Sequence, residues 1–219
     1  MYNVIYAVLG VFGFVLYIFN KKKFQKRKIG FSTLLGIFYV SIIFVLSIVF
    51  RNYGMNVGFG ENYLIYILIM LPQALFFILW EEISFRGVIM EALSKKSKEM
   101  ALSISTLSFV LINAYFIFRT FPNMPLQDII GNTLSRIIPM FFMGIVVGYV
   151  SLSGNISPTS SLAFRAPYQI FIIASPIIVA YHFMTTAIIY FIATALTMVI
   201  ALYAFEKETY KRIAEDVQT

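Results

Sequence analysis

A run without a single charged residue, from Tyr63 to Trp80, ends directly in Glu81 and Glu82, and Arg86 follows one helical turn later. The run is long enough to cross a bilayer as a helix. A charge at the middle of a spanning helix costs roughly 2.5–3.5 kcal/mol on insertion scales. Three charged residues at the end of such a helix therefore need partners, water or a role in function.

The composition also indicates a membrane environment. The 219 residues are 60% hydrophobic and 12% charged, whereas a soluble domain carries about 25% charged residues. Because no polar stretch is long, we expect one integral membrane domain over residues 1–219. Cysteine is absent, which excludes disulfides, thiolate nucleophiles and cysteine-ligated metal.

The net charge of +7 is concentrated at the ends of apolar runs. Three basic clusters are found there: Lys21, Lys22, Lys23, Lys26, Arg27 and Lys28; Lys95, Lys96 and Lys98; and Lys207, Lys211 and Arg212. Basic loops stay cytoplasmic, so the charge is a topology signal and does not indicate a nucleic-acid partner. A role in binding anionic lipid head groups stays open for the same residues.

The apolar runs predict an all-α, polytopic membrane helix bundle of about seven transmembrane helices. The expected spans are residues 2–19, 31–50, 63–80, 101–118, 129–152 and 159–174, and a last span that ends near 205. The third helix should continue to about Leu93, and the loop 51–62 should be an outside turn,. With the N-terminus outside and the C-terminus cytoplasmic, all three basic clusters lie on one side, as expected for a multi-pass protein of the cell membrane.

Helix geometry separates the two glutamates. Glu82 and Arg86 are spaced i, i+4 and should face each other, whereas Glu81 is turned about 100° away and could reach another helix. One glutamate would then be paired locally, and the other would be free to act as a general base on water. The alternative is that both glutamates lie at the cytoplasmic head-group level, where charges cost little.

The order of these residues resembles the CPBP family, which includes type II CAAX prenyl endopeptidases and bacteriocin-processing or bacteriocin-immunity proteins. The segment Glu-Glu-x-x-x-Arg-Gly at residues 81–87 is similar to the first motif of that family. Residues 107–113 and 162–169 look like its second motif, Phe-x-x-x-His, and its third, His-x-x-x-Asn. The resemblance implies a family core over about residues 71–174.

The chain departs from the family at three motif positions. Asn113 and Arg165 stand where the family has histidines, and Gln169 stands where it has asparagine. In the family, the first glutamate is thought to activate water, and the other groups position it and stabilise the oxyanion. The resemblance thus implies that Glu81 keeps its role in activating water and that Arg86 keeps a structural one.

The replacements change what this site can do. Asn113 can orient a water molecule but cannot shuttle a proton, and Arg165 can donate to an oxyanion but stays protonated. A guanidinium close to Glu81 would form an ion pair, and a base held in a salt bridge activates water poorly. We therefore expect a non-catalytic relative that binds a transmembrane or lipidated partner, or that serves as a subunit of a membrane complex.

Two other functions stay open. The chain could be an active glutamate-dependent intramembrane endopeptidase that uses Asn113, Arg165 and Gln169 as unusual positioning groups. A transporter is less favoured, because no pair of similar halves with interrupted spans is visible. No cofactor is expected, and no transition metal either, since Glu81, Glu82 and Asn113 lack an imidazole or thiolate partner. The only histidine, His182, lies outside the motifs and is expected to be a packing residue.

Overall fold

The computed structural model describes residues 15, 29–56, 58–120, 126–153, 157–179 and 182–218. The described chain is helical except for one pair of three-residue strands. Its elements are α1 (Ile29–Val49), β1 (Tyr53–Met55), α2 (Tyr63–Glu82), a π-helical segment (Ile83–Met90), α3 (Glu91–Ser94), α4 (Lys98–Thr120), α5 (Leu126–Ser153), α6 (Pro158–Ala174), β2 (Ile177–Val179) and α7 (Phe183–Gln218). The all-α prediction is confirmed.

Four of the described helices are long and apolar enough to cross a membrane, judged by length and composition. They are Ile29–Val49, Tyr63–Ser94, Ile129–Ser153 and Phe183–Ala204. The chain is therefore a membrane protein. The first expected span and its basic cluster lie outside the described residues apart from Val15, and the count of seven spans and the orientation stay predictions.

The last expected boundary agrees with the structure, since the apolar span ends at Ala204, next to the expected residue 205. The helix that contains this span continues to Gln218, because the charged tail contains good helix formers and neither glycine nor proline. The loop 51–62 contains β1, which pairs antiparallel with β2 in the register Tyr53↔Val179 and Met55↔Ile177. Strands this short leave no periodic pattern in a sequence.

Helix α6 occupies the centre of the described bundle, where it packs against α1, α2 and α5. Its closest approach to α1 is at Gly36, where an added Cβ would overlap the carbonyl of Phe164. Small residues allow helix backbones to approach in this way. On α5, Gly144 and Gly148 do the same against the side chains of Thr106 and Leu102 on α4.

The end of α6 is tied to the β1 loop. The last carbonyls of a helix have no partner within the helix, and here Asn56 donates from Nδ2 to the carbonyls of Ile172 and Ser175, each at 2.9 Å. The Tyr63 hydroxyl donates to the carbonyl of Ala174 at 2.6 Å. These contacts fix α6 along its axis and hence fix the height of the side chains that it carries.

Candidate functional site

Five of the six candidate residues meet inside the bundle. Glu81 and Glu82 end α2, Arg86 lies on the π-helical segment, Asn113 lies on α4 and Arg165 lies on α6. We call these five residues the charge cluster. The π-helix is a rare form whose backbone hydrogen bonds run to the fifth residue, and it is frequent at functional sites.

Arg165 joins the two glutamates. Its Nη2 donates to Glu81 Oε2 at 2.7 Å, and its Nη1 donates to Glu82 Oε1 at 2.7 Å. Both contacts are charge-assisted hydrogen bonds. The fork of one guanidinium is thus divided between two carboxylates that are neighbours in sequence.

Asn113 binds the other oxygen of Glu81. Its Nδ2 donates to Glu81 Oε1 at 2.7 Å and also to the carbonyl of Phe109, one turn earlier on α4, at 2.9 Å. Each oxygen of the Glu81 carboxylate therefore accepts a hydrogen bond from protein. Asn113 and Glu81 touch directly, without space for a water molecule between the two bonded atoms.

Arg86 is held less tightly. Its Nη2 donates to the carbonyl of Gly144 at 3.3 Å, and its Nε lies 3.6 Å from Glu82 Oε2. Among the described residues, Glu82 Oε2 and the Nε and Nη1 atoms of Arg86 find no hydrogen-bond partner.

Phe109 supports both cations and was not among the predicted site residues. The guanidinium carbon of Arg86 lies 4.9 Å from the centre of its ring, and that of Arg165 lies 5.1 Å from it. These distances are within the range of cation–π attraction. Its place in the motif at residues 107–113 was the only sequence signal for this role.

The charges of the cluster are buried and balanced. Glu81, Glu82 and Arg86 are 0% exposed and Arg165 is 6% exposed, so the glutamate side chains do not extend outward from the bundle. The depth of the cluster in the membrane stays a prediction. Two carboxylates and two guanidiniums sum to zero formal charge. Balance of this kind offsets the large cost of removing each ion from water.

The expectation that one glutamate would be free is also wrong. Arg165 approaches from α6 and reaches both glutamates. The sequence analysis considered an ion pair of Arg165 with Glu81, but it did not foresee that the same guanidinium also binds Glu82, 83 positions away in the chain.

Two polar residues lie apart from the charge cluster. Gln169 is half-buried on α6, one turn after Arg165, and makes no hydrogen bond to the cluster within the described part of the chain. His182 is exposed at the start of α7, where its Nδ1 pairs with the Thr185 hydroxyl at 3.0 Å. The expected hydrogen bond of His182 is therefore present, but the side chain is exposed and does not pack in an apolar setting.

No group of three His, Cys, Asp or Glu side chains that could hold a metal ion occurs among the described residues. Buried oxygens are present on Glu81 and Glu82, but two guanidiniums already neutralise them. The absence of a metal or cofactor stays a prediction.

A comparison of the sequence with known protein families gives one match. The family model described as "Type II CAAX prenyl endopeptidase Rce1-like" matches residues 63–164. The match covers just under half of the chain and supports its assignment to the CPBP family. The match contains Glu81, Glu82, Arg86 and Asn113 and ends directly before Arg165. Neither the curated proteins nor the solved structures show a significant match to the chain.

This match to a family model confirms the resemblance found in the sequence. It establishes a membrane protein similar to the CAAX proteases. The cluster of this CPBP protein carries Asn113 and Arg165 at the positions that the resemblance assigns to histidine. The roles of the individual site residues therefore have to be argued from the contacts described above.

Proposed function

We propose that the protein is a non-catalytic CPBP relative that acts as a binding or scaffolding subunit in a membrane complex. One observation carries the proposal, the division of the Arg165 guanidinium between Glu81 and Glu82, with both contacts at 2.7 Å. This arrangement supports a structural use of residues that serve chemistry elsewhere in the family.

The requirements for a general base support the proposal that the protein is non-catalytic. A base must face its water molecule and accept a proton, but both oxygens of Glu81 already accept hydrogen bonds, from Asn113 and Arg165. Neither neighbour can relay a proton, because an amide does not titrate and a guanidinium stays protonated. These contacts therefore support a role of the charge cluster in stabilising the bundle and not in catalysis.

The partner that we propose is a transmembrane or lipidated segment of another protein. Four apolar helices support a lipid-embedded location for such an encounter. We further propose that residues 1–219 form one multi-pass domain of the cell membrane, in which the family core extends to about residue 174 and so includes Arg165 and Gln169.

Cleavage of prenylated C-a-a-X peptides by the purified protein tests the proposal. We expect no cleavage by the unaltered protein, by Glu81→Ala or by Glu61→Ala, which is a matched change at an exposed glutamate. Cleavage that is lost in Glu81→Ala and kept in Glu61→Ala would overturn the non-catalytic assignment.

The second candidate is an active glutamate-dependent endopeptidase that cleaves prenylated or membrane-embedded peptides. The family match over a segment that retains Glu81, Glu82 and Arg86 favours it. It requires Arg165 to leave Glu81 when substrate binds. Stable co-purification of a second membrane subunit in mild detergent favours the scaffold, since a protease releases its products.

A further inference from the structure

Hydroxyl groups on α1 fall into two classes. Thr33, Ser41 and Ser47 donate to the carbonyl four residues earlier, at 2.9, 2.8 and 2.6 Å, as is usual in apolar helices. Ser32 and Tyr39 are 0% exposed, yet within the described chain their hydroxyls have no hydrogen-bond partner. Seven residues separate Ser32 and Tyr39, so they lie on the same face of α1.

Helix α7 shows the same pattern and packs against α1. The hydroxyls of Thr194 and Thr197 are buried and also lack partners among the described residues. They are three positions apart and share one face. Tyr39 and Thr194 face each other, although their hydroxyls do not meet in hydrogen-bond geometry.

The ends of α1 and α7 show which of these hydroxyl residues lie at the same level along the two helices. Because β1 follows α1, β2 precedes α7, and the strands pair, the end of α1 lies beside the start of α7. There Asn52 donates to the Thr186 hydroxyl at 3.1 Å. Ser32 and Thr197 therefore lie toward the opposite end, and Tyr39 and Thr194 lie between the two ends.

Two further tyrosines lie between Tyr39 and the charge cluster. Tyr39 lies 6.4 Å from Tyr168 and 6.4 Å from Tyr190, measured between ring centres. The hydroxyls of Tyr168 and Tyr190 are 2.8 Å apart and share a hydrogen bond. Tyr168 follows Arg165 by less than one turn on α6, so polar groups extend from Tyr39 almost to the charge cluster.

The unpaired hydroxyls need hydrogen-bond partners, because burying a polar group without one costs free energy. The hydrocarbon of a bilayer cannot supply such a partner. Buried water commonly satisfies such groups when several polar atoms converge. We propose that Tyr39, Thr194 and Thr197, which we call the hydroxyl seam, bind ordered water molecules between α1 and α7. Ser32 lies outside the seam, because the tight contact of Gly36 with Phe164 separates it from Tyr39.

Pulsed X-ray radiolysis of the full chain in lipid nanodiscs tests the proposal, because bound water yields hydroxyl radicals that oxidise the side chains next to it. We expect oxidation of Tyr39 despite its burial, and a several-fold lower rate in the double variant Thr194→Val/Thr197→Val. Exposed Tyr53 should be oxidised equally in both proteins. If Tyr39 stays unmodified at doses that oxidise Tyr53, or is oxidised equally in the double variant, the proposal is wrong.

A stability measurement gives a second test that does not depend on radiolysis. Thr→Val keeps the shape of the side chain and removes its hydroxyl. If Thr194 anchors water, Thr194→Val lowers the unfolding midpoint relative to Thr33→Val, whose hydroxyl bonds a carbonyl in its own helix. In a dry seam the same change removes an unsatisfied group, so an unchanged or higher midpoint contradicts the proposal.

Discussion

Arg165 donates to both Glu81 and Glu82, so that the three side chains form one buried ionic group. Removing one partner of a buried ion pair leaves an uncompensated charge and costs about 3–5 kcal/mol. The sequence identified Glu81, Glu82 and Arg86 as residues in need of partners, because charges rarely follow such an apolar run. It did not reveal that one cation from α6 serves both carboxylates.

At this residue scale, we predict that Arg165→Met lowers the free energy of unfolding by about 3–5 kcal/mol, since two buried carboxylates then share one cation. The double variant Arg165→Met/Glu81→Gln restores charge balance and should cost less than the sum of the single changes. Thermal unfolding in detergent measures this, with exposed Lys96→Met as a control. Additive losses would show that Arg165 and Glu81 are not energetically coupled.

The helices determine where the residues of the charge cluster lie. Two features of these helices were not predictable from the sequence. The stretch after Glu82 was expected to be regular helix, and it is helical to Ser94, but residues Ile83–Met90 adopt the π form. The tight crossing of α1 and α6 at Gly36 also escaped prediction. A single glycine in an apolar run resembles any other small residue until its neighbour in space is known.

At the element scale, Gly36→Ala should lower the unfolding free energy by about 1–3 kcal/mol, because the new methyl group meets the fixed backbone of Phe164. Gly30→Ala is the matched control on the same helix, since nothing lies within 4 Å of its Cβ position. The control should be neutral or slightly stabilising, because alanine favours helix. Equal effects at both sites, measured by thermal unfolding, would argue against a tight crossing.

On the scale of the whole molecule, the paired strands β1 and β2 hold the loop after α1 beside the segment before α7. Both segments must therefore lie on one side of the membrane. The seven-span prediction puts both outside, and it puts the turn between α3 and α4 in the cytoplasm together with its lysines. The pairing of Tyr53–Met55 with Ile177–Val179 agrees with this prediction.

The orientation can be tested by cysteine labelling, since the chain has no cysteine of its own. We predict that Glu61→Cys and His182→Cys react with a membrane-impermeant maleimide in intact cells. Lys96→Cys should react only after permeabilisation, because basic loops stay cytoplasmic. All three positions are exposed, so burial does not limit labelling, and the reverse pattern would invert the topology.

Local physics, read along the chain, was enough to predict a helical membrane protein and to identify Glu81, Glu82 and Arg86 as charges in need of partners. The resemblance to the CPBP family came from the order of three motifs, and it supplied Asn113, Arg165 and Gln169. Long uncharged runs and short motifs act over neighbouring residues, and a sequence displays them directly. The sharing of Arg165 by two carboxylates and the unpaired hydroxyls between α1 and α7 emerged only when the helices were packed. These features depend on distances between residues far apart in the chain, and packing alone sets those distances.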